Sequence, residues 1–326
     1  MLTALARVIL FAGFRGNLIG CRLDMGIRTS ELNSASRSSG FAGFLSRERL
    51  IAGCVALLFL AFFLFLALRW FEHAVTFHPL RYDERTGWKQ PTSAQDVWLK
   101  TTDGVRLHGW LFETRERPAL ATIIHFHGNG GNVSNVGWIG ERLSSRGFDV
   151  LLLDYRGYGR SEGEVDGETG LYADADAGYE YVTKIRGVRP SSVVLYGQSL
   201  GTAVAVDLAS RQEPAAVILE SGFSSASDLA STVLPVLPRR LHFLAKNRFE
   251  STRKLSSVRC PVLIAHGDPD LTVPTEHGRL LFNAANEPKK LLIFPGAGHN
   301  VFGSLGDGYL DRVADFLRSA IKPDRH

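Results

Sequence analysis

Cysteine is scarce in this sequence. The chain of 326 residues has three cysteines, Cys21, Cys54 and Cys260. Their number is odd, their spacings match no metal site, and Cys260 has no partner within the C-terminal region in which it lies. We therefore predict neither a disulfide framework nor a bound metal, and the cysteines do not indicate a redox compartment.

Strong charge and cofactor-binding motifs are also missing. The formal net charge is +4, and the basic residues are scattered. No stripe of lysine and arginine alternates with aromatic residues, so we predict no nucleic-acid partner. The glycine-rich stretch Gly128–Asn132 fits neither the dinucleotide-binding pattern nor the phosphate-binding P-loop, which needs Lys-Ser/Thr. We predict no cofactor, and we find no internal repeat.

One long hydrophobic run is present. Leu50–Leu68 comprises 19 residues without a charge, and a helix of that length covers about 28 Å, close to the hydrocarbon thickness of a bilayer. Arginines flank the run on both sides, as interfacial residues do. A signal peptide has a shorter apolar core nearer the N-terminus, followed by a small-residue cleavage site that is missing here. We predict a retained single-pass transmembrane helix over residues 48–71.

The segment before this run, residues 1–47, reads as a basic, flexible arm. It has six arginines against two acidic residues, Asp24 and Glu31, and it includes a run of serine, alanine and glycine typical of disorder. Short basic segments stay in the cytoplasm, whereas long domains are translocated largely regardless of charge. We expect a cytoplasmic N-terminus and a catalytic domain on the opposite side. The sequence leaves open whether translation starts at Met1 or at Met25.

Strand and helix patterns alternate through the rest of the chain. After a linker over residues 72–95, two β runs meet at an Asp103–Gly104 turn and predict a hairpin. Short apolar strands then alternate with helices, which predicts right-handed βαβ crossovers and a mostly parallel sheet over residues 96–322. Such sheets carry their active sites at the carboxyl ends of the strands.

The motif that organises this region is Gly197–Gly201, a G-x-S-x-G sequence between a buried strand and a small-residue helix. In that context the sharp turn holds the serine hydroxyl above the sheet edge, and a Cβ at either glycine would hit a neighbouring strand or helix. The helix N-terminus supplies N–H groups and partial positive charge where an oxyanion forms. We predict that Ser199 is a nucleophile, against the alternative of an ordinary strand–helix turn.

A serine nucleophile needs a base, and the base needs an orienting acid. His299 lies in a glycine-rich loop after the last strand, so it is the predicted base. For the acid we favour Asp270 over Asp268, which precedes a proline and is better suited to capping its turn, and over Glu220 at the end of the preceding strand. The predicted catalytic residues are therefore Ser199, Asp270 and His299.

The oxyanion hole requires two backbone N–H groups. One belongs to the residue after the nucleophile, Leu200. For the second we predict Asn129, in the glycine-rich loop after the strand that ends near His127. The segment 223–260 interrupts the strand–helix rhythm, and we interpret it either as a short helical lid or as a surface connection between helices.

Several motifs together resemble the α/β-hydrolase superfamily, and most closely its serine aminopeptidase-like, bem46-type branch. They are His127–Asn129, Asp154–Ser161, Gly197–Gly201, His266–Pro274 with Asp270 inside it, and Gly298–His299. The resemblance covers roughly residues 75–320 and includes the motif order. It implies an α/β-hydrolase fold with a short lid, a membrane anchor in many members, and a triad of Ser199, Asp270 and His299.

Because this branch includes esterases, thioesterases, lipases and peptidases, the resemblance does not identify a substrate. We predict a membrane-anchored serine hydrolase that acts on an ester or thioester, with a small-molecule or lipid-like acyl substrate. A peptidase or amidase of the same fold is the alternative, and a non-catalytic, membrane-tethered binding protein is the third interpretation. The sequence does not reveal the acyl length or the oligomeric state.

Overall fold

A large, mostly parallel sheet with helices on both faces dominates the fold. The computed structural model describes residues 47–83, 85, 88–233 and 245–321. In chain order these residues form α1 (Arg47–Thr76), β1 (His78–Pro79), β2 (Ala94–Lys100), β3 (Arg106–Phe112), β4 (Ala121–Phe126), β5 (Gly130–Gly131), α2 (Val133–Ser144), β6 (Phe148–Leu153), α3 (Glu168–Glu180), β7 (Val193–Gln198), α4 (Leu200–Arg211), β8 (Ala216–Glu220), α5 (Ala226–Val233), α6 (Ser251–Leu255), β9 (Val262–Asp268), α7 (Glu276–Ala284), β10 (Lys289–Pro295), α8 (Val301–Leu305) and α9 (Asp307–Ala320).

Eight of these strands form one sheet in the order β10-β9-β8-β7-β4-β6-β3-β2. Neighbouring strands from β10 to β6 are parallel, whereas β3 is antiparallel to both β2 and β6. The predicted hairpin is β2–β3, in which Lys100 is paired with Arg106 on either side of the Asp-Gly turn. The predicted mostly parallel α/β architecture is confirmed.

The central strands are buried on both faces, which explains their nearly continuous apolar sequence. Every residue of β4, β6 and β8 is buried. On one face the side chains pack against α3, α4, α6 and α7, and on the other they pack against α2, α8 and α9. A sheet covered in this way leaves its carboxyl edge as the place where polar loops meet.

The apolar helix α1 is longer than predicted. It runs over Arg47–Thr76 and none of its residues is buried. Among the described residues it is the one helix long and apolar enough to cross a membrane. The chain divides into two units, Met1–Ala56 and Leu57–His326, and the second holds all the strands named above. Residues 1–46 of the predicted basic arm lie outside the described residues, and its last residue, Arg47, begins α1.

The segment predicted as a linker, residues 72–95, contains structure of its own. It includes the last turn of α1, the start of β2, and β1, which pairs in parallel with β5. The helix continues past its apolar run because polar residues near its end have partners. The Glu72 carboxylate accepts hydrogen bonds from the backbone and side-chain nitrogens of Asn247, at 2.8 and 3.1 Å, and His73 Nε2 lies 2.8 Å from the Val165 carbonyl oxygen.

The predicted lid segment begins and ends in ordered structure. The helix α5 follows β8, and α6 precedes β9. Residues 234–244, which include the proline-flanked apolar part of the predicted lid, lie outside the described residues. On its downstream side, Phe249 is buried against the rings of Phe77, Tyr172 and Phe223.

Candidate active site

Ser199 occupies the sharp turn between β7 and α4. Its backbone has φ 51° and ψ −115°, a left-handed conformation that costs a non-glycine residue free energy. The surrounding chain enforces this conformation. A Cβ at Gly197 would clash with the backbone of Gly201, and a Cβ at Gly201 would clash with the Phe126 carbonyl. Both glycines are therefore needed for the close approach of strand, turn and helix, as the sequence predicts.

The position of Ser199 at the start of α4 also defines the electrostatics around it. Leu200 is the first residue of that helix, so its N–H belongs to the unpaired N-terminal donors, where the helix dipole is positive. The Ser199 N–H itself donates to the Glu220 carbonyl oxygen on β8, at 2.8 Å. This bond fixes the turn to the sheet and leaves the hydroxyl as the reactive group.

His299 and Asp270 complete a hydrogen-bonded chain with this serine. His299 Nε2 lies 3.0 Å from Ser199 Oγ, and His299 Nδ1 lies 2.7 Å from Asp270 Oδ2. The three residues come from the ends of β7, β9 and β10, which meet at one edge of the sheet. The structure thus brings together all three residues that the sequence nominates, and their catalytic roles are taken up below as a proposal.

The loop that carries His299 is held by contacts that sequence reasoning did not find. Ser221, the residue after β8, has φ 51° and donates its hydroxyl to the His299 carbonyl oxygen at 2.7 Å. A Cβ at Gly267 would clash with the Gly298 backbone. Close packing of this loop against the end of β9 thus brings the imidazole over the nucleophile. Ser221 is buried, but a serine after a strand gives no sequence signal for such a role.

The Asp270 carboxylate is buried and surrounded by donors. Its Oδ1 accepts the backbone N–H groups of Thr272 and Val273, at 2.8 and 2.9 Å. His266 Nε2 lies 3.3 Å from Oδ2 and 2.8 Å from the Val273 carbonyl oxygen. Burial opposes ionisation of Asp270, but the hydrogen bonds from His266, His299 and the Val273 N–H outweigh it and lower its pKa. Asp270 is therefore an anion suited to orienting His299.

The two rival acids have other partners. Asp268 Oδ1 accepts a long hydrogen bond from the Thr275 hydroxyl, at 3.4 Å. Glu220 is fully buried and accepts the Tyr196 hydroxyl at 2.5 Å and the Phe302 backbone N–H at 3.3 Å. Desolvation raises the pKa of Glu220, although these hydrogen bonds oppose the rise. No contact joins either carboxylate to His299 among the described residues.

The loop Gly128–Gly131 lies beside the nucleophile. A Cβ at Gly128 would approach Ser199 Cβ to 3.4 Å, which places the following residue, Asn129, next to the turn. The Asn129 side chain accepts hydrogen bonds from the His78 N–H and the Tyr158 hydroxyl, at 3.0 and 3.1 Å. These contacts involve only the side chain, and the backbone N–H of Asn129 stays the predicted second donor to the oxyanion. His78 lies in the predicted linker, and nothing in the sequence indicates its contact with Asn129.

The histidines of β4 and its end are structural. His125 packs its ring against Tyr196, and burial, followed by the effect of His127, lowers its pKa to about 3. His127 Nδ1 lies 2.7 Å from the Gly128 carbonyl oxygen and its ring contacts Tyr155 and Tyr158. In the part of the chain that the structure describes, no group of three or more histidine, cysteine, aspartate or glutamate side chains is arranged to hold a metal ion.

Comparisons with known proteins extend over most of the chain. A family model described as "Serine aminopeptidase, S33" matches residues 117–251. The chain is 34% identical over 250 residues to the uncharacterized protein YfhR of Escherichia coli (strain K12), a match that covers 74% of this chain and 86% of YfhR. It is also 34% identical over 243 residues to alpha/beta hydrolase domain-containing protein 17B of Xenopus tropicalis, covering 73% of this chain and 81% of that protein.

A solved structure agrees with the fold. The Pyrococcus furiosus esterase Pf2001 superposes with a TM-score of 0.60, covering 76% of this chain and 100% of the esterase. The two sequences are 19% identical, so this likeness concerns the backbone arrangement alone.

Proposed function

The chain belongs to the α/β-hydrolase family, and we propose that it is a serine hydrolase that cleaves ester or thioester bonds through an acyl-enzyme. The observation that carries the proposal is the chain of hydrogen bonds from Ser199 Oγ through His299 to Asp270, with distances of 3.0 and 2.7 Å. Those are the contacts that an activated serine requires.

In the proposed reaction, Ser199 Oγ attacks the acyl carbonyl carbon while His299 Nε2 takes its proton. Asp270 accepts the Nδ1–H and stabilises the imidazolium that forms. The N–H groups of Leu200 and Asn129 bind the oxyanion of the tetrahedral intermediate. His299 then protonates the departing alcohol or thiol as the bond to it breaks. A water molecule, deprotonated by His299, attacks the acyl-enzyme and releases the carboxylic acid and free Ser199.

The test of the chemistry is a fluorophosphonate probe, which reacts with activated serines. The full-length wild-type protein should be labelled and the Ser199→Ala variant should not. We expect the same substitution to lower kcat by roughly 10⁴–10⁶-fold. Labelling that persists in the variant would mean that another residue is the reactive nucleophile, and a wild type that is never labelled would favour a binding protein built on the same fold. Either result would contradict the proposal.

A peptidase is the second candidate, because the matching family model is described as a serine aminopeptidase. An enzyme that recognises a free amino terminus needs carboxylates near the substrate. The segment 223–260 has two acidic residues, Asp228 and Glu250. Asp228 accepts the hydroxyls of Ser224 and Ser225, and Glu250 pairs with Arg253. Because both carboxylates already have partners within the protein, we favour an ester or thioester substrate over a peptide. Rates on p-nitrophenyl esters, acyl-thioesters and aminoacyl amides distinguish the candidates, and a preference for the amides would reverse this order.

The membrane is the second part of the proposal. The exposed, apolar helix α1 supports a retained anchor, with the N-terminus in the cytoplasm, the catalytic domain on the opposite side and a lipid-like acyl substrate within reach. Retention of the full-length protein in carbonate-washed membranes tests the anchor, and protection of the catalytic domain from added protease in sealed vesicles tests its side. Release by carbonate, or a mature protein lacking α1, would show that the helix is not a retained anchor.

A further inference from the structure

The loop Gly128–Gly131 has a single side chain by which the rest of the protein can hold it. Three of its four residues are glycines, and the fourth is Asn129. Glycine gives the backbone wide conformational freedom, and Gly131 uses it with φ 103°. A backbone N–H that must point at an oxyanion needs a fixed orientation, since preorganised donors cost no reorganisation during the reaction. The Asn129 amide is thus the group through which this loop can be fixed.

Three hydrogen bonds fix the Asn129 amide, and His78 takes part in two of them, once through its backbone N–H and once through its imidazole. The Asn129 Oδ1 accepts the His78 N–H at 3.0 Å and the Tyr158 hydroxyl at 3.1 Å. With both donors on the oxygen, the NH₂ group faces His78 Nδ1, at 2.9 Å. An imidazole whose Nδ1 carries no proton accepts a hydrogen bond from this NH₂ group.

The backbone of the same segment is joined to the loop. His78 and Pro79 pair in parallel with Gly130 and Gly131, and the Leu80 carbonyl oxygen accepts a hydrogen bond from Asn132 Nδ2, at 3.1 Å. The segment directly after α1 therefore lies along the second half of the loop. A tether that only reached from a membrane to the domain would have no reason to pair with the loop beside the nucleophile.

We propose that His78 is a positioning residue for the oxyanion hole, which it orders by holding the Asn129 side chain while the Asn129 N–H binds the oxyanion. The inference rests on the proposed function, because it assumes acyl transfer at Ser199. It makes the first residues after the apolar helix, His78 to Leu80, part of the active-site architecture.

The test compares three variants of the full-length protein in detergent micelles. His78→Ala removes the imidazole acceptor and keeps the backbone N–H. His78→Asn restores an acceptor at the same distance from the backbone, because Asn Oδ1 matches His Nδ1. His73→Ala is the matched control, since it removes an imidazole from the same segment that contacts Val165 and Phe77 and not Asn129.

Each variant is assayed with the best p-nitrophenyl ester, and its active sites are counted by fluorophosphonate titration. An oxyanion donor acts on the transition state, so His78→Ala should lower kcat per titrated site about tenfold with KM unchanged, against roughly 10²–10³-fold for loss of a whole donor. The inhibition constant of an aryl trifluoromethyl ketone, whose adduct with the serine carries the oxyanion, should rise by the same factor. His78→Asn should recover most of both losses, and His73→Ala should show neither.

A kcat for His78→Ala within twofold of wild type would overturn the proposal. So would a loss that comes entirely from fewer titrated sites, or one that leaves the ketone's inhibition constant unchanged, because both describe a merely structural role. A wild-type protein that is never labelled overturns the proposed function itself, and this inference with it; the titration of the wild type identifies that case.

Discussion

Asp270 and Glu220 are buried carboxylates near the carboxyl ends of the neighbouring strands β9 and β8, but their surroundings differ. Asp270 contacts two backbone N–H groups and two imidazoles, one of which leads to Ser199. Glu220 instead contacts the Tyr196 hydroxyl, the Gln198 amide and the Phe302 N–H, on the side of the sheet covered by α8 and α9.

Burial is the largest influence on the pKa of both groups, and it raises both. At Asp270 the hydrogen bonds reverse the effect and lower the pKa, whereas at Glu220 they do not and the pKa remains raised. The difference lies in the donors, because imidazoles that can carry positive charge and aligned N–H groups stabilise an anion more than a phenol does. The position of a carboxylate at a strand end therefore does not identify it as the catalytic acid, whereas the hydrogen-bond donors around it do.

The largest expected effect comes from neutralising the acid that faces His299. Asp270→Asn removes the anion that accepts the Nδ1–H and favours the wrong imidazole tautomer, so kcat per folded active site should fall about 10⁴-fold. The measurement is the rate at saturating ester, divided by the number of titrated active sites in the folded protein. A loss below tenfold would show that Asp270 does not orient His299.

An intermediate effect is expected at His266, which contacts the acid from the other side. His266→Leu removes a donor to Asp270 and to the Val273 carbonyl, and should lower kcat about tenfold, the lower end of what a hydrogen bond to a charged group is worth. His266→Gln, whose amide can still donate, is the control and should retain more activity. Equal losses in the two variants would mean that packing against α7, and not the hydrogen bond, is what matters.

Sequence reasoning succeeds here where structure is local. The turn at Ser199 follows from a strand, two glycines and a helix within a few residues, and the alternation of strands and helices predicts the sheet. Hydropathy gives the apolar part of α1 but not its end, because the last turn is stabilised by Asn247, far along the chain.

The remaining features depend on long-range contacts. Asp268 and Glu220 are the last residues of strands, and Asp270 follows one closely. Which of the three reaches His299 depends on the path of the turn around Pro269 and on the position of the loop that carries His299. The contact between His78 and Asn129 joins residues 51 positions apart, with no motif at His78 to indicate it. The contact between His266 and Asp270 becomes visible only when the turn after β9 is known.

The two carboxylates should have opposite effects on the pH dependence of stability. Since the folded state lowers the Asp270 pKa, its charge stabilises the fold above the unfolded pKa, near 4, and that contribution is lost as the pH falls towards the folded pKa. The raised pKa of Glu220 has the reverse sign: its stability cost grows as the pH rises from about 4 towards the folded pKa.

Thermal midpoints in detergent between pH 3 and pH 8 measure both contributions. The deficit of Asp270→Asn relative to wild type should shrink at the acid end of that range. Glu220→Gln should gain stability relative to wild type towards the neutral end. Curves that run parallel to wild type at all pH values would contradict the shifts.

The smallest expected effect on catalysis is that of a substitution at Glu220, and it completes the comparison with Asp270. Glu220→Gln preserves the shape of the side chain and removes the carboxylate charge. Its single oxygen can still accept the Phe302 N–H, and its NH₂ group can donate to the Tyr196 hydroxyl, which bonds to the other carboxylate oxygen in the wild type. Because no contact links this group to His299 among the described residues, kcat should change by no more than about twofold, the size expected where no transition-state interaction is lost. The control is Asp270→Asn, the same chemical change one strand away, assayed with the same ester. A fall in kcat that approaches the Asp270→Asn value would mean that Glu220 acts on the imidazole, and that the acid of this site has been assigned to the wrong strand.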